Sequence, residues 1–311
     1  MDEGGIKRWV RAADYLSVAQ IFLQDNFLLE RPLTFDDVKP RLLGHWGTCH
    51  GINVIYAMLR TIFIEFEFVV GPGHGFPALQ ASLFLDRKLT EYYPEATVDY
   101  GGVEYICKKF SWPYGFPSHA SPETPGVVLE GGELGYSLAT AYGMALGKPG
   151  RNIACLIGDG ELETGTALAS LNLNKLIDGK HNARVLPVLH LNGYKISGPT
   201  IYGRKSDREL LQLLRGFGYE PVIMEPDRDM GKALEVLEMV GREKEIKYFV
   251  VMRTEKGAGG PRELNGEKIA GNYLAHQVPL PLAKTDEGQL RMLEEWLAGY
   301  KFREAYERIA G

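Results

Sequence analysis

Two side chains that carry oxygen ligands follow apolar runs in this sequence. Asp159 comes after residues 152–157, within Gly158-Asp159-Gly160-Glu161, and Asn192 comes after residues 185–191. Apolar runs of this length that stop at a glycine-flanked polar residue predict buried strands of a parallel sheet. Because the carboxyl ends of parallel strands share one edge, we expect the carboxylate and the amide oxygen to lie close together. Such hard oxygen ligands suit Mg²⁺, which usually completes its shell with phosphate oxygens.

Glycines around these two positions favour a bound diphosphate. Gly158 and Gly160 let phosphate oxygens approach the backbone, and a helix predicted to begin near Glu161 offers them its unpaired N–H groups. Gly193 permits the tight exit that turns a backbone carbonyl inward. Gly-Asp-Gly alone is a common turn, and its pairing with a strand-terminal asparagine is what favours a metal-held diphosphate over a plain turn.

The composition is that of a folded chain without the charge of a nucleic-acid binder. The 311 residues are 45% apolar, enough for one large or two modest domains. A net charge of −5 gives no general attraction to nucleic acid or to an anionic membrane. Charged residues interrupt the apolar stretch 52–70, and the N-terminus has no signal-peptide pattern, so the sequence predicts a cytoplasmic protein without a transmembrane span. Cys49, Cys107 and Cys155 have no Cys-x-x-Cys spacing, so we expect reduced thiols.

Short β-branched runs alternate with longer stretches of helical periodicity. The predicted strands are residues 68–70, 153–157, 185–191, 221–224 and 248–252. The predicted helices are residues 135–146, 161–176, 206–217 and 230–243, with a further amphipathic helix at 286–310 that has Leu290, Leu293, Trp296 and Leu297 on one side. This alternation predicts an α/β fold, a parallel β-sheet flanked by helices on both faces.

Most of the seven histidines lie in glycine- or proline-rich turns or at a strand end. These are His45, His74, His119, His190 and His276. Glycine and proline fix loop backbones, so imidazoles held there can serve as positioned acids, bases or hydrogen-bond donors near neutral pH. Any one of them alone is more often a bystander, and metal binding is the weaker interpretation because no His-x-x-x-His spacing occurs.

Several motifs distributed along the whole chain carry a family resemblance. They are Arg8-Trp9, Tyr15-Leu16-Ser17, residues 19–23, residues 41–48, Gly71-Pro72-Gly73-His74-Gly75, Pro117-Ser118-His119, residues 122–126, residues 130–138, Gly158-Asp159-Gly160-Glu161, residues 189–196 and residues 275–279. Together these motifs resemble the N-terminal, thiamine diphosphate-binding part of phosphoketolases. The resemblance implies the thiamine diphosphate-binding fold of that family, its diphosphate-binding domain, with thiamine diphosphate and Mg²⁺ as cofactors.

The activity that the resemblance implies is a carbon–carbon cleavage. Its substrates would be xylulose 5-phosphate or fructose 6-phosphate together with inorganic phosphate, and its products acetyl phosphate and an aldose phosphate. A ring of histidines suits this chemistry, because departure of a hydroxyl needs an acid and carbonyl attack needs donors for the developing oxyanion.

The resemblance also assigns roles to individual residues. At the reacting end it implies His45, His74, His119, His276, Lys256 and Gln277. At the cofactor it implies His45, Gly132, Glu133, Leu134, Gly158, Asp159, Gly160, Glu161, Asn192, Tyr194, Lys195, Ile196, Lys256 and His276, with Asp159, Asn192 and the Tyr194 carbonyl on Mg²⁺. Without the resemblance, Lys256 would as readily be an ordinary exposed lysine.

Two local departures from the phosphoketolase pattern leave sugar specificity open. Cys49-His50 stands where the family usually has Thr-Pro, and Gly-Ala-Gly-Gly follows Lys256 where a tryptophan is usual. We expect no specific role for His50, which its nearness to His45 keeps only as a minor candidate.

The largest departure is length, since phosphoketolases are much longer three-domain chains. In the family the activating glutamate lies on a second, pyrimidine-binding domain, and no residue here takes that role. We therefore expect a diphosphate-binding domain at residues 1–280, a helical linker or partner-docking segment at 281–311, and a second subunit that carries the pyrimidine-binding domain. A fragment of a longer chain, a transketolase-type two-carbon transfer subunit and a non-catalytic binding or regulatory protein remain as alternatives.

Overall fold

Five parallel strands form the centre of the computed structural model, which describes residues 1–310. The helices are α1 (Glu3–Phe22), α2 (Cys49–Ile62), α3 (Phe76–Leu85), α4 (Tyr100–Lys109), α5 (Ser137–Leu146), α6 (Gly165–Ser170), α7 (Asp207–Gly216), α8 (Met230–Arg242), α9 (Glu287–Gly299) and α10 (Phe302–Ala310). The strands are β1 (Glu67–Val70), β2 (Asn152–Gly158), β3 (Arg184–Leu191), β4 (Glu220–Met224), β5 (Tyr248–Arg253), and the two-residue β6 (Glu263–Leu264) and β7 (Glu267–Lys268).

The central sheet has the strand order β1-β2-β3-β5-β4, and every neighbouring pair in it is parallel. All five strands predicted from β-branched runs are confirmed, each within one or two residues of its expected bounds. β6 and β7 form a separate antiparallel pair. Parallel strands put all their carboxyl ends at one edge, so the residues that follow β1, β2, β3 and β5 converge there.

Side chains along each strand alternate between two hydrophobic cores, one on each sheet face. In β2, Ala154 and Leu156 face the core that contains α1, α2, α3 and α8, while Ile153 and Cys155 face the core that contains α5, α6 and α7. Helices therefore cover both faces, and the predicted α/β class is confirmed. The long helix α1 packs against α2, α3, α4, α8, α9 and α10, which makes it the centre of the larger core.

The helix expected to begin near Glu161 begins later, so that part of the prediction is wrong. Helix α6 begins at Gly165, where the Thr164 side chain accepts a hydrogen bond from the Ala167 N–H. The Glu161 carboxylate instead accepts from the backbone N–H groups of Gly158 and Gly135 and from the Ser137 hydroxyl. These bonds hold residues 159–163 in a turn, and the last part of the predicted helix, Leu171–Leu176, is a 3₁₀ segment.

The C-terminal segment forms two helices where one was expected. The break lies at Lys301, whose φ of 49° is left-handed and turns α10 away from the axis of α9. The predicted apolar side of α9 is buried in the same core as α1, and Trp296 meets the ring of Trp46 edge-on with centroids 5.0 Å apart. This chain itself therefore covers that side of α9.

No helix among residues 1–310 is long and apolar enough to span a membrane. The cysteines are free thiols and all three are buried.

Candidate active site

The ends of β2 and β3 bring Asp159 and Asn192 together, as the sequence predicted. Gly158 pairs with His190 in the parallel register, and the Asp159 N–H donates to the His190 carbonyl at 3.2 Å. The Asp159 carboxylate is 3% exposed. It accepts from the Gly193 N–H at 2.7 Å, so the glycine after Asn192 ties the two strand ends directly.

The Asp159 carboxylate has an electrostatic setting that favours a nearby cation. Burial raises its pKa, although hydrogen bonds from the Gly193 N–H, the Thr200 hydroxyl and the Gly160 N–H act in the opposite direction. A divalent metal would offset that burial cost. The other oxygens predicted for the metal are neutral: the Asn192 amide oxygen, which accepts from the Tyr194 N–H at 3.1 Å, and the Tyr194 carbonyl.

Within residues 1–310 no group of three or more histidine, cysteine or acidic side chains is placed to hold a metal. The predicted set is of another kind, one carboxylate with an amide and a carbonyl oxygen, which is a donor set suited to Mg²⁺ and not to zinc.

Lys256 is a buried cation beside these oxygens. It follows β5, is 2% exposed, and its ammonium donates to the Tyr194 carbonyl at 2.9 Å and lies 3.1 Å from Nδ1 of His276. Burial lowers the pKa of Lys256 to about 8, while the negative charge of Asp159 acts to raise it. The site therefore places the buried Asp159 carboxylate near a buried ammonium, a pairing that can accept a diphosphate–metal complex.

Four of the predicted histidines form a cluster around His45. The ring centroid of His45 lies 5.2 Å from that of His74, 5.1 Å from that of His119 and 5.3 Å from that of His276, and His74 and His276 are 4.8 Å apart. The four rings come from four separate loops, so only the folded chain brings them together. We call these four residues the histidine cluster.

The imidazoles of the histidine cluster are held neutral. Burial, followed by the charges of His119 and Lys256, lowers the pKa of His45 to about 4. Burial, followed by Lys256, lowers the pKa of His276 to about 3, and burial also lowers the pKa values of His74 and His119. A neutral imidazole donates from one nitrogen and accepts at the other, which suits proton transfer. Nδ1 of His45 is buried and has no hydrogen-bond partner within the described residues.

Close backbone contacts fix the loops that carry the cluster. The Ala120 N–H donates to the Gly73 carbonyl at 2.9 Å, and the Gly131 N–H donates to the Ala120 carbonyl at 2.7 Å. A Cβ at Gly73 would lie 2.2 Å from Gly131 Cα, so these loops approach as only glycine allows. On the other side, the Trp46 N–H donates to the Gln277 carbonyl at 3.1 Å and joins the His45 loop to the His276 loop.

One cavity of about 440 Å³ joins the strand-end oxygens to the histidine cluster. Its lining includes the predicted residues His45, His74, His119, Gly132, Leu134, Gly158, Asp159, Gly160, Glu161, Asn192, Tyr194, Lys195, Ile196, Lys256 and His276. Glu133 and Gln277 do not line the cavity, and both are exposed. Glu133 was expected to act through its backbone, and the Gln277 carbonyl is used by Trp46.

Sequence reasoning assigned no specific role to His190, which also lines the cavity. It is buried at the end of β3, with Nδ1 3.0 Å from the Thr48 hydroxyl and Nε2 2.7 Å from the Thr254 hydroxyl. Burial lowers its pKa to about 3. A lone polar residue inside an apolar strand, just before the predicted ligand Asn192, is the signal that could have identified it.

Comparisons with known proteins show the family and the fold of this chain. A family profile described as XFP N-terminal domain matches residues 3–309. The chain is 45% identical to a probable phosphoketolase from Bradyrhizobium diazoefficiens over 95% of its own length and 40% of that protein. It is 43% identical to a probable phosphoketolase from Rhodopseudomonas palustris, over 96% of this chain and 41% of that one. This chain belongs to the phosphoketolase N-terminal domain family. It spans about two fifths of the length of the curated relatives it matches.

Solved structures show that the phosphoketolase N-terminal domain shares its fold with part of transketolase. Transketolase from Campylobacter jejuni superimposes with a TM-score of 0.70 at 18% identity, over 99% of this chain and 46% of that one. Transketolase from Leishmania mexicana gives 0.64 at 19% identity, again over 99% and 46%. At these identities the likeness establishes the fold alone.

The two departures from the phosphoketolase pattern both lie beside the site. The Cys49 thiol donates to the His45 carbonyl at 2.9 Å. In the glycine-rich loop after Lys256, a Cβ at Gly260 would lie 2.4 Å from Nε1 of Trp46. The indole N–H of Trp46 donates to the Gly257 carbonyl at 3.2 Å, so a tryptophan from another part of the chain packs on this loop.

Proposed function

We propose that this chain is the diphosphate-binding half of a thiamine diphosphate-dependent phosphoketolase. It would act on xylulose 5-phosphate or fructose 6-phosphate with inorganic phosphate, and release acetyl phosphate and an aldose phosphate. The observation that carries the proposal is the single cavity in which the buried oxygens at the ends of β2 and β3 meet the histidine cluster. Family membership supports the reaction class.

The residues present fit a diphosphate held by Mg²⁺. Asp159, Asn192 and the Tyr194 carbonyl are the proposed metal ligands, and the raised pKa of Asp159 marks a carboxylate that a cation would stabilise. Lys256 offers a positive charge to the diphosphate, and Nδ1 of His45 is a buried polar atom that is free for a ligand. Bound thiamine diphosphate supplies a carbon nucleophile for the ketone carbonyl of the sugar.

The histidine cluster supplies positioned protons at the other end of the cavity. The Lys256 ammonium can only donate, so Nδ1 of His276 accepts from it and neutral His276 carries its proton on Nε2. That N–H can donate to a developing oxyanion or to a departing hydroxyl. Because the pKa values of His45 and His276 lie well below neutrality, their imidazoles start each turnover uncharged, and each ring can donate a hydrogen bond from one nitrogen and accept one at the other.

The activating carboxylate is proposed to come from a second subunit with a pyrimidine-binding domain. Among the described residues, the carboxylates that line the cavity are Asp159 and Glu161, and both are occupied by this chain's own hydrogen-bond donors. Leu134 and Ile196 line the same cavity while 43% and 65% exposed, an apolar surface on which a partner could dock. We propose an assembly of the α2β2 type.

Two finer expectations remain part of this proposal. The division at residue 280 is kept as a prediction, with the qualification that α9 and α10 pack on the same core as α1. A cytoplasmic location is supported by the three unpaired thiols, which are typical of a reducing compartment.

The test is reconstitution with a pyrimidine-domain subunit from the same source. We expect calorimetry to show binding of thiamine diphosphate in the presence of Mg²⁺, and the assembled enzyme to form acetyl phosphate, trapped as its hydroxamate, from xylulose 5-phosphate and phosphate. Asp159→Asn should weaken cofactor binding by about 10-fold or more, since a buried metal ligand loses its charge. The control Asp178→Asn removes an exposed carboxylate that pairs with His181 and should change neither signal.

The outcome also separates the alternatives. Formation of a new ketose from an added aldose phosphate, without acetyl phosphate, would establish a transketolase-type subunit. Absence of cofactor binding even with the partner present would favour a non-catalytic protein and overturn the proposal.

A further inference from the structure

The first residues of α2 and the loop before it contact the segment that carries Lys256. We call residues 47–50 the α2 turn and residues 254–257 the Lys256 segment. The Gly257 N–H donates to the Gly47 carbonyl at 3.0 Å. The Thr48 hydroxyl lies 3.0 Å from Nδ1 of His190, and the Thr254 hydroxyl lies 2.7 Å from Nε2 of the same ring. His190 therefore links the two threonines. Both ends of the Lys256 segment are therefore fixed to the α2 turn.

His50 supplies a third link to the Lys256 segment, at a residue between Thr254 and Gly257. Its Nδ1 lies 2.7 Å from Oδ2 of Asp14 on α1, and its Nε2 lies 3.3 Å from Oδ1 of Asp227 in the turn between β4 and α8. The other oxygen of Asp227 accepts from the Glu255 N–H at 2.8 Å. The path from His50 thus ends on the backbone N–H of Glu255, the residue immediately before Lys256.

The geometry of His50 requires its charged form. Both ring nitrogens face carboxylate oxygens, and only an imidazolium donates from both. Burial opposes this charge, but Asp14 and Asp227 outweigh it and raise the pKa of His50 to about 10. The side chain of Asp14 is 3% exposed and that of Asp227 is 26% exposed, so the carboxylates are little screened by solvent.

We propose that His50 is a positioning residue whose imidazolium bridges Asp14 and Asp227, fixes the Lys256 segment through the Glu255 N–H, and so directs the Lys256 ammonium into the cavity. The proposal rests on the proposed role of Lys256 at the diphosphate. It gives His50 a role that the sequence did not predict.

The bridge is a property of this chain within the phosphoketolase pattern. A proline at position 50, expected from that pattern, has no side-chain donor and cannot join Asp14 to Asp227. Proline would be tolerated sterically there, since position 50 lies in the first turn of α2. His50→Pro is therefore a natural test variant.

The experiment follows the Glu255 amide by hydrogen exchange and the cofactor affinity by calorimetry, both on the whole chain. In Asp227→Ala, His50→Pro and His50→Asn, we expect exchange of the Glu255 N–H to speed up by about 10-fold or more, and affinity for thiamine diphosphate with Mg²⁺ to fall by about 10-fold. Amides of β2 should keep their protection. The matched control is Glu225→Ala, which removes an exposed carboxylate near Asp227 that pairs with Arg228.

A double-mutant cycle between His50 and Asp227 isolates their coupling. If the bridge exists, His50→Asn adds little to the effect of Asp227→Ala, whereas independent residues would give additive effects. Should His50→Asn unfold because it leaves carboxylates unpaired, His50→Pro carries the test, since proline is tolerated sterically there. Wild-type exchange of the Glu255 amide in a folded His50 variant would overturn the inference. Failure of the wild type to bind cofactor would instead count against the proposed function, since the exchange readout does not need the cofactor.

Discussion

His45 and His50 lie in one loop-to-helix segment, yet their imidazoles have opposite electrostatic surroundings. His45 is buried among His74, His119 and His276, with Lys256 nearby, and its pKa is lowered to about 4. His50 contacts two carboxylates, and its pKa is raised to about 10. Burial acts in the same direction on both rings, so the difference comes from their partners.

The rings of His45 and His50 differ in what they can do in this site. A neutral ring in a cavity can accept or donate a proton, as the proposed reaction requires. A charged ring held between two carboxylates has no free nitrogen, so it can only hold other residues in place. The pKa values of these two histidines therefore shift in opposite directions because of what the fold places around each ring.

The largest expected effect is that of removing the cation beside the histidine cluster. Lys256→Met should lower acetyl phosphate formation by the assembled enzyme by about 100-fold or more, because a buried charge at the proposed diphosphate is lost. It should also raise the pKa values of His45 and His276 toward their ordinary value, since Lys256 contributes to lowering both. Steady-state rates and histidine NMR titrations measure the two effects.

Lys39 provides the matched control for that substitution. It is also buried, and burial lowers its pKa to about 8, but its ammonium donates to the carbonyls of Gln20, Cys107 and Phe110. Lys39→Met should lower the melting temperature and leave the histidine pKa values unchanged. If Lys256→Met keeps wild-type rates, the ammonium has no part in the chemistry and the proposed role fails.

The opposite pKa shifts of His50 and His45 should make their contributions to stability depend on pH in opposite directions. The raised pKa of His50 gives a stabilisation that is complete below about pH 6.5, the unfolded value, and is lost as pH rises toward 10. Wild type should therefore have a higher free energy of unfolding than His50→Gln at low pH. This difference should shrink by on the order of 2 kcal/mol as pH rises from 6.5 to 10. The lowered pKa of His45 works the other way, because the unfolded chain binds the proton more readily, so wild type loses stability relative to His45→Gln as pH falls from about 6.5 to 4.

Urea unfolding at a series of pH values measures both differences. His181→Gln is the control, since that exposed histidine pairs with Asp178 at the surface and should give a small difference. Two parallel pH dependences for the His50 and His45 variants would mean that burial, and not the partner, sets the charge of each ring.

The sequence predicted the sheet and the meeting of its two strand ends because these depend on local pattern. Apolar runs that end at Gly158 and Asn192 specify both the strand and the edge at which it stops. Helices α1 to α4 were not delimited in the same way. Every residue of α3 is buried, so it lacks the polar side from which helical periodicity is recognised.

The bridge at His50 could not be predicted because its partners come from distant parts of the chain. Asp14 and Asp227 lie on different elements, and only the packing of α1 against α2, with the turn before α8, brings them to one ring. The histidine cluster was more accessible to sequence reasoning, since its loops share a glycine- and proline-rich setting. The start of α6 was misplaced for a tertiary reason as well, namely the hydrogen bonds of Glu161 to Gly135 and Ser137.

The smallest expected effect comes from introducing a carboxylate next to the histidine cluster, as Asp14 and Asp227 lie next to His50. The Ser118 hydroxyl lies 3.0 Å from Nδ1 of His119, so Ser118→Asp would place a negative charge beside that ring. The pKa of His119, which burial now lowers, should rise. Because the cluster is proposed to act neutral, the acid limb of the pH–rate profile should move to higher pH, with only about a 3-fold loss of rate at pH 7.

Ser118→Asn has the shape of the aspartate without its charge and separates the two causes. If neighbouring charged groups set the charge of each histidine, the acid limb of the pH–rate profile should stay at its wild-type position in Ser118→Asn and move in Ser118→Asp. Equal movement in both would trace the effect to size or to the lost hydroxyl. The contrast between His45 and His50 would then depend on local packing instead of on carboxylates.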